Sequence, residues 1–152
     1  MKAKHRERGF SLIELLLVVA IIGTLAAISL PIYTKALQQA RIARAIGDIK
    51  ALDTDILLFR MTARRLPDSL AEIGRENLRD PWGAEYQYLP FTSAKGKGGM
   101  RKDRFLVPIN SDFDLYSMGP DGRSVAPLTA KPSRDDIVRA NDGGYVGLAS
   151  EY

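Results

Sequence analysis

The chain has 152 residues, 45% of them hydrophobic and 26% charged, so it has enough apolar material for one folded domain plus an extension and is not disordered by composition. It contains no cysteine, which excludes a disulfide framework, a thiolate nucleophile and a cysteine-based zinc site. Its net charge of +4 does not describe a nucleic-acid-binding surface, because Lys2, Lys4, Arg6 and Arg8 against Glu7 supply three of those four charges within the first nine residues.

Those nine residues, MKAKHRERG, precede the segment FSLIELLLVVAIIGTLAAISLP. From Leu15 to Thr34 there is no charged side chain, and Leu, Ile, Val and Ala dominate. A helix of that length is roughly 30 Å long and crosses a hydrocarbon core. The basic leader before it places the N-terminus in the cytoplasm and Lys35 onward outside. The apolar run is longer than the core of a secretory signal peptide. A simple signal anchor accounts for the span and its orientation but not for Glu14, an acid inside an apolar segment. Such a group costs on the order of 3 kcal/mol and usually marks a paired, functional residue, the alternative being a side chain that snorkels to the bilayer edge. Gly23 and Pro31 are the only interior breakers, and a kink at Pro31 falls where the helix leaves the bilayer.

Residues 35–61 continue as an amphipathic helix. Ile42, Ile46, Ile49, Leu52, Ile56 and Phe59 recur at spacings of three and four, while Arg41, Arg44, Asp48, Lys50 and Asp55 mark the wetter side. Asp48 and Asp55 read as solvated charges. The helix is expected to end at Arg64-Arg65-Leu66-Pro67. LPDSLAEIGRENL suggests a short helix capped by Asp68, with Leu70 and Ile73 facing inward. DPWGAEYQYLPF carries turn chemistry at Asp80-Pro81 and Gly83, then a strand entry at Tyr86 and Tyr88, with Trp82 as a buried hinge or core residue.

Residues 95–104, KGKGGMRKDR, form a glycine-rich basic loop without phosphate-cradling spacing. It reads as a mobile solvated loop, the alternative being a specific anionic contact. RFLVPI and DFDLYSMG read as two short antiparallel strands. From Ser111 onward Asp112, Asp114, Asp121, Asp135, Asp136, Asp142 and Glu151 outnumber the basic residues. The spacing is not that of an EF-hand, but hard oxygen donors on a weakly apolar segment suit calcium. Asp-Gly pairs are equally ordinary turns.

The short basic leader ending in Gly9, followed by Phe10 and by Glu14, resembles the class III signal of type IV pilins and type II secretion pseudopilins. DPWGAEYQYLP and DFDLYSMGPDG with SRDDI resemble pieces of the major pseudopilin family of type II secretion systems. The resemblance implies an α+β, type IV pilin-like fold: a long N-terminal helix, half transmembrane and half amphipathic, packed on a small antiparallel sheet. The expected organisation is a prepilin leader at 1–9, a transmembrane and filament-core helix at 10–34, an amphipathic head helix at 35–62, and a globular head at 63–152.

The resemblance further implies that a prepilin peptidase cuts after Gly9 and N-methylates Phe10. Glu14 then pairs with the Phe10 amine of a neighbouring subunit, with Pro31 part of the same assembly segment. It implies calcium held by Asp121, Asp135 and Asp136, with backbone carbonyls that include that of Met118. Thirteen residues separate Asp121 from Asp135, more than is usual in the family, and the tail IVRANDGGYVGLASEY is additional. Asp112, Asp114 and Asp142 stay open as further ligands.

Expected partners are copies of itself in a helical filament, minor pseudopilins, the peptidase, an inner-membrane assembly platform, and the membrane before assembly. No nucleic acid is expected. The implied location is the bacterial inner membrane with the head in the periplasm, then a periplasmic pseudopilus. The function implied is a non-enzymatic subunit of a type II secretion pseudopilus, the alternative being a type IV pilus pilin forming a surface fibre for adhesion, motility or DNA uptake. An enzyme reading has little to rest on, since the single histidine, His5, sits in the leader. A solitary membrane-tethered binding domain is the third possibility.

Overall fold

The computed structural model describes residues 9–152; the expected leader up to Arg8, with His5, lies outside the described residues. One helix, α1, runs from Leu12 to Ala63. By its internal contacts the chain divides into two units, one ending at Gln38 and one from Gln39 to Tyr152.

In the first unit α1 carries apolar side chains on every side. Leu12, Leu16, Val19, Ile22, Leu25, Ile28 and Ile32 are all exposed, and none of this apolar stretch is buried among the described residues. A helix that is hydrophobic all round requires an apolar surrounding, either lipid or other helices. Pro31 lies within the helix, and the Thr34 hydroxyl donates to its carbonyl at 3.1 Å.

In the second unit the three-and-four spacing sets the packing. Ala45, Ile49, Leu52 and Ile56 are fully buried, with Ile42 and Ile46 flanking them. Each fully buried Ile or Leu contributes about 1.5–3 kcal/mol of transfer free energy. These side chains meet an antiparallel sheet of four strands in sequential order: β1 (Gln87–Pro90), β2 (Phe113–Ser117), β3 (Ile137–Ala140) and β4 (Tyr145–Leu148). Strand alternation decides what faces the helix. Phe113, Leu115 and Ile137 join the helix cluster together with Tyr86. Val138 and Ala140 join Ile109, Leu128 and Ala149 in a second cluster. The expected α+β architecture, a long helix on a small antiparallel sheet, is the one observed.

The helix ends where expected, and several other local expectations are corrected. The helix stops at Ala63 because Arg64 takes φ 61°, which an α-helix cannot accommodate. The segment after Pro67 is a single 3-10 turn, Leu70–Ile73, and Asp68 is not its cap. The hydrogen bond runs the other way: the Glu72 carboxylate accepts the Asp68 N–H at 3.0 Å and also pairs with Arg65. Leu70 and Ile73 do pack on the core. Asp48 and Asp55 are not merely solvated, since Asp48 accepts the Tyr86 hydroxyl at 2.9 Å and Asp55 pairs with Arg75 at 2.7 Å. Both carboxylates tie α1 to the segment that follows it.

RFLVPI is not a strand. Asp103 and Leu106 exchange backbone bonds across a tight turn, Arg104 takes φ 46°, and Phe105 is fully exposed. The partner of β2 is β1, with Tyr88 opposite Leu115. Trp82 is half-buried and packs against the main core cluster. Asp80 staples its turn, accepting the Trp82 and Ala84 N–H groups through Oδ1 and the Ser117 hydroxyl through Oδ2.

The additional tail forms the β3–β4 hairpin. Its loop has Asn141 at φ 51°, Asp142 at φ 54° and Gly143 at φ 90°. Asn, Asp and Gly are the residues that accept such left-handed positions. Asp142 does more than form the turn, because its carboxylate accepts both the N–H (2.6 Å) and the hydroxyl (2.8 Å) of Ser111. Those bonds, led by the backbone one, hold its carboxyl below the ordinary aspartate range. Asp142 therefore contributes stability above pH ~4 that is lost as pH falls through its lowered value in the fold. Asp142→Ala is expected to cost about 1 kcal/mol at neutral pH in chemical denaturation, and to flatten the decline of stability with acid.

Candidate functional site

Two places gather the residues that the sequence singles out. At the start of α1, Gly9 and Phe10 precede the helix and are both exposed. Apart from its chain neighbours, no described residue lies within 4 Å of where a Cβ on Gly9 would stand. Ser11 and Glu14 then close on each other. The Ser11 hydroxyl accepts the Ile13 N–H at 3.3 Å, and Glu14 Oε2 accepts the Ser11 N–H at 2.8 Å. This is a capping box, in which a residue before the helix and an acid three positions on satisfy donors that the first turn leaves free. The partial positive charge of the helix start also favours a carboxylate here. The Ser-x-x-Glu spacing of this box is visible in the sequence, beside the pairing with the Phe10 amine that the resemblance implies for Glu14.

The second place is the acidic loop. Gly119, at φ 65°, lets β2's exit pass so close to Asp135 that a Cβ there would lie 2.3 Å from the Asp135 carbonyl oxygen. That approach brings Asp121 and Asp135 together, with the Asp121 N–H donating to Asp135 Oδ2 at 3.3 Å. Met118 sits half-buried just before this turn. Asp121 Oδ1 is occupied in a local turn by the Arg123 N–H at 2.8 Å.

Asp136 takes a different course from its neighbour. It is fully buried, accepts the Ser124 hydroxyl at 2.6 Å, and pairs through Oδ2 with the Arg101 guanidinium. Burial pushes its carboxyl up to about 6, against the opposing pull of Ser124 and Arg101. Asp114, which is also buried, accepts the Arg101 backbone N–H at 2.6 Å and the Asn110 amide at 3.1 Å. Asp112 belongs to Arg139 and Arg60. Among the described residues no three carboxylate or imidazole side chains gather closely enough to hold a metal ion. Calcium needs six to eight oxygens around it. With the Asp136 carboxylate already on a guanidinium, the donors expected for calcium do not fit the ion in this arrangement.

Sequence reasoning missed Arg101 because it lies in the run KGKGGMRKDR, which reads as solvated. Lys95 and Lys97 are indeed exposed, whereas Arg101 is 2% exposed. The backbone pairing of Lys102 with Ala126 and Leu128 draws this part of the loop against the acidic segment.

The N-terminal stretch, residues 4–30, matches the model described as the prokaryotic N-terminal methylation motif. Over 141 residues the chain is 30% identical to the type II secretion system core protein G of Pseudomonas aeruginosa, covering 79% of this chain and 88% of the relative. The protein of the same name from Dickeya chrysanthemi is 27% identical over 78% of this chain and 81% of the relative. A fimbrial protein of Pseudomonas aeruginosa is 30% identical over 90% of this chain and 82% of the relative. No solved structure matches. A methylation motif that spans Gly9, Phe10 and Glu14, and relatives aligned over most of both chains, lead to one assignment: this chain belongs to the type II secretion system core protein G family, within the type IV pilin-like proteins.

Proposed function

We propose that the protein is the structural subunit of a type II secretion pseudopilus. The observation that carries this is the first half of α1: an all-round apolar surface with nothing among the described residues to bury it, opened by Gly9-Phe10 and the Ser11–Glu14 box. A lone anchor would leave that surface in lipid permanently. A filament subunit moves it from lipid to the helices of other copies, at little cost because both surroundings are apolar.

In this reading a prepilin peptidase cuts after Gly9 and methylates the new amine of Phe10. The cytoplasmic N-terminus and periplasmic head follow from the basic leader. Copies of the chain, minor pseudopilins and an inner-membrane platform are the partners, and growth of the filament drives folded proteins across the outer membrane. The role is mechanical, and no catalytic step is assigned to the chain. The fimbrial relative supports the second reading, a surface fibre built by the same helix.

Deleting the gene in its host separates the two readings. Loss of export of folded proteins, with surface fibres and motility intact, is the outcome expected of a pseudopilin, whereas loss of fibres with export intact assigns the chain to a pilus. In the complemented strain, Gly9→Val is expected to leave the leader attached, seen as an unreduced mass, and to abolish export.

A further inference from the structure

We propose that the buried guanidinium of Arg101 is the resident cation of this head, closing the C-terminal loop where the sequence had pointed to calcium, so that the fold holds without a metal ion. The side chain is 2% exposed, and its charged end meets the groups a bound cation would meet. One terminal nitrogen donates to the Ser124 hydroxyl at 2.5 Å and to the Val125 carbonyl at 2.6 Å, and the other binds the Asp136 carboxylate. A carboxylate, a hydroxyl and a backbone carbonyl from two separate segments of the acidic loop are thus joined on one positive group.

The backbone of the same residue is fixed independently. Asp114 accepts its N–H at 2.6 Å, and its carbonyl accepts the Ile109 N–H at 3.1 Å. The guanidinium stacks 4.3 Å from the Tyr116 ring centroid, on the sheet face that α1 does not cover. Such anchoring sets the fork before it meets the loop, which suits the planar, permanently charged Arg rather than Lys.

Two buried polar atoms at this place lack a partner, Arg101 Nε and Asp136 Oδ1. They are the donor and acceptor that a two-bond guanidinium–carboxylate contact joins. The orphaned oxygen therefore has a candidate donor already beside it. Asp136 could not stay buried and charged without such a group, since an uncompensated buried carboxylate costs several kcal/mol. Asp121 is exposed and Asp135 partly so, and water solvates their charges. The additional tail rests on the same anchor, because the Ala149 N–H donates to the Asp136 carbonyl at 2.9 Å.

The test uses the full chain in detergent micelles, with unfolding of the head followed by near-UV circular dichroism. The expected result is one melting midpoint for the wild type in calcium chloride and in chelator, and no stoichiometric uptake of radioactive calcium in equilibrium dialysis. Arg101→Met is expected to lower the midpoint by at least about 5 °C, equally in both conditions, and Arg101→Lys by less. Asp121→Ala is expected to leave it unchanged. A wild-type midpoint that rises with calcium, stoichiometric calcium uptake, or an Arg101→Met chain that melts like the wild type overturns the proposal. The dialysis result on the wild type decides the matter even if Arg101→Met fails to fold.

Discussion

Glu14→Ala is expected to leave the chain cleaved and inserted in the membrane yet absent from sheared filaments. The capping role seen for this carboxylate and the charge-pairing role proposed for it predict different behaviour for a second variant. As part of the capping box Glu14 satisfies the Ser11 N–H at 2.8 Å, a contribution of about 0.5–2 kcal/mol to the start of α1. A Gln side chain keeps that bond, because its carbonyl oxygen accepts as well. As a charge meant for the amine that cleavage creates on Phe10 of another copy, Glu14 cannot be replaced by Gln. An unpaired ionised group within a span costs about 3 kcal/mol, which is on the order of a hundredfold in each subunit-addition equilibrium. Glu14→Gln is therefore expected to insert normally and to fail in assembly as completely as Glu14→Ala. The measurement is the ratio of filament to membrane-bound subunit in sheared and pelleted fractions. A Gln variant that assembles like the wild type reduces Glu14 to a helix cap and removes charge pairing from the mechanism.

The parts of the fold that were legible in the sequence are those set by local periodicity. The uncharged run from Leu15 to Thr34 and the three-and-four spacing through Ile42, Ile49, Leu52 and Ile56 describe α1 and its buried face without reference to anything distant. The DPWG turn was legible because Asp, Pro and Gly carry the turn in their own backbone preferences. Failure began where a residue's partner lies far along the chain. IVRA carries a charged residue in mid-strand, yet all four residues are buried, and one of the carboxylate partners of Arg139 is Asp53 on α1. Arg101 looked solvated for the same reason, its counter-charge Asp136 being invisible to local composition. RFLVPI failed in the opposite direction. Its β-favouring side chains promised a strand, but a local turn claimed the backbone and left Phe105 without a neighbour. The signal for the β3–β4 hairpin was present, since Asn-Asp-Gly-Gly between Ile-Val and Tyr-Val is a turn flanked by strand formers.

Arg139→Met is expected to be among the most damaging single changes to the head. The guanidinium is 1% exposed and holds two elements at once: Nε donates to Asp53 on α1 at 2.6 Å, and a terminal nitrogen donates to Asp112 at 2.8 Å. It also bonds the Phe113 carbonyl at 3.2 Å and lies 3.9 Å from the centroid of the Phe113 ring. Met replaces much of the volume and none of the charge, so two largely buried carboxylates lose their common cation. Removing one partner from a buried ionic network costs about 3–5 kcal/mol, a large share of the stability of a domain this size. A pH series distinguishes this cause from lost packing. Burial already raises the Asp53 carboxyl, and Arg139 is the principal group pulling it down. Without the guanidinium, Asp53 binds its proton still more readily in the folded state than in the unfolded chain. The unfolding free energy of the variant must then fall as pH rises above the unfolded carboxylate value, so its deficit is largest at neutral pH and shrinks toward pH ~4. Adding Asp53→Asn to Arg139→Met should recover part of the loss at pH 7 and little at pH 4. A deficit independent of pH, or one below about 1 kcal/mol in chemical denaturation, would show that Arg139 acts through its volume alone.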